Sequence, residues 1–92
     1  MSKLYIVTRK DLDKGQAAVQ CSHVMNEWAL KYGPVPPDTH LVIYKTECVE
    51  HLEEFLEDHV VGRRVATFHE PDYHNELTAM ATDSGPFNLR LL

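Results

Sequence analysis

Two short apolar runs constrain the fold of this chain more than any other feature. Residues 4–7 read LYIV and residues 41–44 read LVIY. Because each run is continuous rather than alternating, it is typical of a strand that is covered on both faces of a sheet. A helical pattern follows each run, which favours parallel pairing of the strands through crossover helices. The sequence therefore predicts an α/β domain with the first strand in the middle of the sheet.

Turn and capping residues set the bounds of the two predicted helices. Asp13, with Gln16 three positions later, forms a capping-box pattern, and Gly33 is followed closely by three prolines. This predicts a helix over about 15–33. Thr46 is the predicted N-cap of the second helix. The residues of that helix predicted to face the core are Val49, Leu52, Phe55 and Leu56.

Two further strands are predicted near the end of the chain, over residues 65–68 and 76–82. Since they are adjacent in sequence, they are expected to form an antiparallel pair at the sheet edge. The order becomes β-α-β-α-β-β, a three-layer α/β/α arrangement with a mixed four-stranded sheet. Within the last strand, simple alternation places Leu77, Ala79 and Ala81 on one face. It places Thr78, Met80 and Thr82 on the other.

The loop and helix after the first strand carry the most specific sequence string. The loop reads RKDLDKG over residues 9–15, and residues 17–23 then read AAVQCSH. This string resembles the start of the type 2 peptidyl-tRNA hydrolases. Residues 68–72 and 76–82 resemble the acidic loop and last strand of the same family. The resemblance implies one domain over residues 1–92 with a mixed four-stranded sheet. Residues 84–92 are too short for the closing helix that members usually carry.

The resemblance also implies an activity, the hydrolysis of the ester between a peptide and the terminal ribose of tRNA. That reaction needs an activated water, a stabilised oxyanion and contacts with RNA phosphates. The catalytic positions that it implies here are Gln20, His23, Thr78 and one acidic residue, for which Glu70 and Asp72 are the two candidates. The positions that it implies for substrate or RNA binding are Arg9, Lys10, Lys14, Gln16 and Ser22. The partner is then peptidyl-tRNA, and no cofactor or metal is expected.

Each of these residues also has a structural interpretation. His23 could act as a base, since an unperturbed histidine has a pKa of about 6.5, or it could simply hydrogen-bond a neighbour on the helix flank. Gln20 could orient water or donate to an oxyanion, or it could be solvated. Ser22 could instead bond its own i−4 carbonyl. Gln16 is neutral where the family commonly has a lysine, and its capping role with Asp13 accounts for it structurally.

The charge distribution permits RNA binding without suggesting it. The net charge is −5, whereas phosphate contacts usually require a basic surface. Six of the 14 acidic residues lie between positions 47 and 58. The rest of the chain therefore has eight acidic residues and nine Lys and Arg residues. A basic side opposite an acidic helix is therefore expected, formed by Lys3, Arg9, Lys10, Lys14, Arg63 and Arg64.

Several other classes of function are disfavoured. No apolar run approaches the roughly 18 residues of a membrane span, and the chain is expected to be cytoplasmic. The spacing of His69, Glu70, Asp72 and His74 matches no common metal motif. Two hypotheses remain. The first is a peptidyl-tRNA hydrolase, and the alternative is a noncatalytic relative that binds RNA or protein. A homodimer, in which a second subunit covers the sheet, is compatible with both.

Overall fold

A computed structural model describes residues 2–60 and 62–92. The helices and strands follow the predicted order, with one strand added at the end. They are β1 (Lys3–Arg9), α1 (Lys14–Tyr32), β2 (His40–Thr46), α2 (Val49–His59), β3 (Val65–Glu70), a 3-10 turn (Pro71–Tyr73), β4 (Glu76–Thr82) and β5 (Arg90–Leu91). Within the part of the chain described, no helix is long and apolar enough to cross a membrane.

The sheet is mixed and has the strand order β3-β4-β1-β2-β5. β1 pairs in parallel with β2, while β4 runs antiparallel to both of its neighbours, β1 and β3. The prediction of four strands was wrong, because β5 adds a fifth strand that pairs antiparallel with β2. A two-residue strand is too short to show a period in the sequence, and its position is set by pairing such as Leu92 N to Ile43 O at 2.9 Å.

The two helices cover opposite faces of the sheet, so the predicted three layers are present. Leu4 and Ile6 of β1 pack in the cluster that includes Trp28 of α1. Tyr5 and Val7 pack in the other cluster, which includes residues of α2. Every residue of the first apolar run is therefore buried on one face or the other, which explains why the run does not alternate.

A bulge in β4 reverses the predicted alternation of that strand. The pairing with β3 passes from Ala79 directly to Leu77, so Thr78 is an extra residue without a partner in the register. Leu77 packs under α2, whereas Ala79 and Ala81 pack under α1. The prediction that these three side chains share a face was wrong, because the inserted residue turns the strand over at that point.

The start of α1 agrees with the sequence, and the start of α2 does not. Asp13 caps α1 through its Oδ1, which accepts a hydrogen bond from Gln16 N at 2.8 Å. The N-cap of α2 is Cys48 rather than Thr46. Thr46 is instead the last residue of β2, where its hydroxyl donates to the Thr8 carbonyl at 3.3 Å. The hydroxyl thus stabilises the strand end and not the helix.

Candidate functional site

The candidate catalytic residues come together at one edge of the sheet. β1 and β3 both run antiparallel to β4, so their carboxyl ends lie where β4 begins. Glu70 is the last residue of β3, and Thr78 lies near the start of β4. α1 begins after the loop that follows β1, at the same edge. Residues that are far apart in sequence can therefore share one site.

A hydrogen-bonded chain joins α1, β3 and β4 at this edge. The Thr78 hydroxyl donates to Gln20 Oε1 at 2.7 Å, and Gln20 Nε2 donates to Glu70 Oε1 at 3.3 Å. Gln20 and Thr78 are both 0% exposed. The β4 bulge directs Thr78 towards α1, and the two bonds satisfy both ends of a buried amide. The Glu70 carboxylate, which is partly exposed, is thereby held in one position.

His23 lies beside this chain and is open to solvent. Its ring stacks on Phe68, with ring centroids 4.5 Å apart and planes 15° from parallel. Gln20 and His23 are three residues apart on α1, while Phe68 and Glu70 are two apart on β3, so each pair shares a face. An imidazole and a carboxylate therefore lie on the same side of the contact between α1 and β3, which we call the α1–β3 site.

Burial divides the residues of the α1–β3 site into two kinds. His23 is exposed and Glu70 is partly exposed, so both can contact a bound substrate. Gln20 and Thr78 are buried, and their hydrogen bonds run to other protein groups. Gln20 and Thr78 are thus suited to position the carboxylate rather than to touch a reacting group.

Arg9, which the resemblance places among the RNA-binding residues, is occupied within the fold. It is 6% exposed, and its guanidinium pairs with Asp11 at 2.7 Å and with Glu76 at 2.8 Å. It also donates to the Leu77 carbonyl at 3.2 Å. The hydrogen bond from Arg9 lowers the pKa of Asp11 below its usual value. These contacts fix the backbone just before Thr78.

Three other predicted site residues lie outside the hydrogen-bonded chain. Asp72 is exposed in the 3-10 turn after β3. The Ser22 hydroxyl donates to the Ala18 carbonyl at 3.1 Å, which is the i−4 bond considered from the sequence. Gln16 is exposed, and its backbone N–H is held by the cap at Asp13. Of the two candidate acids, it is Glu70 that Gln20 contacts.

The predicted lysines remain on the surface. Lys14 is exposed at the first position of α1. Lys10 forms an ion pair with Glu47 at 3.0 Å, and both side chains are at least half exposed, so the pair contributes little to stability. Sequence reasoning missed Phe68, whose ring stacks on His23. Its position near the carboxyl end of β3 is the signal that could have found it.

Comparison with known proteins assigns the chain to no group: no family model matches it, and no curated protein matches it with significance. Among residues 2–60 and 62–92, no group of three or more His, Cys, Asp or Glu side chains is arranged to hold a metal ion. The fold and the hydrogen-bonded chain define an α/β domain with a polar site where β1 and β3 end. Any functional assignment must rest on that site.

Proposed function

We propose that this chain is a hydrolase of the type 2 peptidyl-tRNA hydrolase kind, which cleaves the ester between a peptide and the terminal ribose of tRNA. The observation that carries the proposal is the hydrogen-bonded chain Thr78–Gln20–Glu70. Each of these residues comes from a different segment that resembles the family, and the three segments meet in one place. An exposed imidazole, that of His23, lies beside them.

In this proposal His23 accepts a proton from the attacking water and Glu70 orients that water. An ester is an easily cleaved acyl group, so general-base assistance is sufficient without a covalent intermediate. The nearby nucleophilic side chains, Ser22 and Cys21, are unsuited to covalent catalysis. Ser22 is bonded to a backbone carbonyl, and burial raises the pKa of Cys21 to about 11, so its thiol stays protonated near neutral pH.

A second candidate is a noncatalytic module that binds RNA on the same scaffold. The complete burial of Gln20 favours it, because that amide can then donate to no oxyanion. The neutral Gln16 also favours it, since it supplies no cation at the position where the resemblance leads one to expect a lysine. In that case the hydrogen-bonded chain would serve only to hold α1 on β3.

The experiment that separates these candidates measures release of a labelled acyl-peptide from a model peptidyl-tRNA. His23→Ala and Glu70→Gln are each expected to lower turnover by about 10²- to 10⁴-fold, the usual size of a general acid-base contribution. His51→Ala, which removes an exposed histidine from α2, is the matched control and should keep the full rate.

A full rate in either site variant would remove that residue from the proposal. No turnover by the folded wild-type protein, with an active reference enzyme in the same assay, would favour the binding module.

A further inference from the structure

The backbone topology creates a crevice between β1 and β2 that the proposed reaction does not use. β1 and β2 are parallel neighbours, so their carboxyl ends lie side by side. The chain leaves β1 towards α1 on one face, and it leaves β2 towards α2 on the other. Adjacent strands whose connections depart to opposite faces form the usual ligand crevice of open α/β sheets.

Two cavities occupy this position, one on each side of the sheet edge. The α1-side cavity has a volume of about 430 Å³ and is lined by Lys10, Leu12, Lys14, Ala17, Lys45 and Leu92. The α2-side cavity has a volume of about 400 Å³ and shares Lys10 and Lys45 with the first. The two lysines therefore form the ridge between the cavities.

The charges favour an anion in the α1-side cavity only. Its lining contains three lysines and no acidic residue. The lining of the α2-side cavity sets three acidic residues, Glu47, Glu54 and Asp58, against Lys10, Lys45 and Arg90, so its cationic charge is offset. Glu47 does reach Lys10, but that ion pair is solvent-exposed and a ligand can displace it at little cost.

We propose that the α1-side cavity binds a backbone phosphate of an RNA strand through Lys10, Lys14 and Lys45. The apolar surface of Leu12 and Ala17 would then contact the adjoining nucleotide. Lysine ammonium groups suit phosphate as mobile point charges, and such contacts position a nucleic acid without reading its sequence. The choice of RNA as the source of the phosphate rests on the proposed function.

The α1-side cavity and the α1–β3 site lie on opposite sides of α1 at the same edge of the sheet. Lys14 and Gln16 are two residues apart, so their side chains do not share a helix face. Gln20 and His23 lie on the Gln16 side, towards β3, whereas Lys14 lines the cavity above β1 and β2. One RNA strand that crosses the first turn of α1 would have its ester end at the α1–β3 site and an upstream phosphate in the α1-side cavity.

The test is direct binding of a fluorescent RNA hairpin with a short single-stranded 3′ end and no ester, at several salt concentrations. Lys14→Met and Lys45→Met keep the length of the side chain and remove the charge. Each is expected to weaken binding about two- to fivefold. Each should also reduce the slope of log affinity against log salt by about 0.7 to 0.9, the loss of one phosphate contact. Lys31→Met, an exposed position in the last turn of α1 at the far end of the helix, is the matched control and should change neither quantity.

Equal effects of all three substitutions, or no effect of Lys14→Met and Lys45→Met, would overturn the proposal. Binding of a nucleoside monophosphate without binding of the hairpin would also overturn the proposal, because the phosphate would then come from a source other than an RNA strand. The hairpin carries no ester, so the result is independent of hydrolysis. Lysine-dependent binding without turnover of peptidyl-tRNA would support the cavity and count against the hydrolase. Turnover of peptidyl-tRNA, together with hairpin binding that the lysine substitutions leave unchanged, would support the hydrolase and count against the cavity.

Discussion

The two helices cover opposite faces of the same sheet, but only one of them buries a polar side chain. α2 buries Leu52 and Phe55, and most of its other residues are solvent-exposed acids. α1 buries Val24 and Trp28 in the same way, yet it also buries Gln20 completely. A purely apolar stripe is sufficient to attach a helix to a sheet. The additional polar contact therefore marks α1 as the helix on which a specific geometry depends.

The two helices also differ in how burial affects stability. Burying a leucine of α2 contributes free energy in proportion to the apolar area removed from water. Burying the Gln20 amide costs free energy unless each polar atom keeps a partner. Thr78 and Glu70 supply those partners. We infer that the α1 contact depends on hydrogen-bond geometry in addition to apolar burial, whereas the α2 contact depends mainly on volume and area.

The largest effect on stability is expected from truncating the α2 core. Leu52 is 0% exposed, and Leu52→Ala is expected to lower the free energy of unfolding by about 2–5 kcal/mol, because the cavity adds to the lost transfer free energy. Chemical denaturation measures this change. Glu53→Ala, on the exposed face of the same helix, should stay within about 0.5 kcal/mol of wild type. A loss below 1 kcal/mol for Leu52→Ala would mean that α2 is not anchored by this side chain.

The apolar face of α2 is also predicted well from the sequence. Its apolar period predicts Val49, Leu52, Phe55 and Leu56 as core-facing, and all four are buried or partly buried against one cluster. Its first residue was predicted less well, because the Thr46 hydroxyl can cap a helix or bond a neighbouring strand. Only the tertiary structure decides between these two partners, and it selects the Thr8 carbonyl.

The site is predicted from sequence only in part, for a similar reason. The resemblance names Gln20, Glu70 and Thr78, and the structure joins them. The bulge that directs Thr78 towards α1 has no local signal, since it exists only in the register between two strands. The stacking of His23 on Phe68 depends likewise on how α1 lies across β3. Periodicity identifies which face of an element is buried but not which side chains meet there.

A smaller effect is expected from breaking the polar contact of α1. Thr78→Val keeps the shape of the side chain but leaves Gln20 Oε1 buried without its donor. The free energy of unfolding is expected to fall by about 1–3 kcal/mol, the cost of an unsatisfied buried polar group. Thr78→Ser retains the hydroxyl and so can keep the hydrogen bond to Gln20. It is the matched control for Thr78→Val.

The double variant Gln20→Met with Thr78→Val sharpens this test. With both polar partners replaced by apolar groups of similar size, stability is expected to recover, so the two losses should not add. Turnover, if the proposed function holds, should stay low because Glu70 has lost the amide that positions it. Losses that add within about 0.5 kcal/mol would show that the two side chains are not energetically coupled.

The smallest effects are expected at the helix N-termini, where the two helices differ again. Asp13 caps α1 through a 2.8 Å bond to Gln16 N, whereas Cys48 at the N-cap of α2 makes no side-chain cap bond. Asp13→Ala is therefore expected to lower the free energy of unfolding by about 1 kcal/mol. Cys48→Ser supplies an oxygen to an extended N-cap residue and is expected to raise that free energy by about 0.5 kcal/mol. Thermal unfolding of both variants with wild type measures the two shifts. If Cys48→Ser destabilises the protein instead, packing of the thiol contributes more to stability than a new cap hydrogen bond does. The start of α2 would then be held by its apolar contacts.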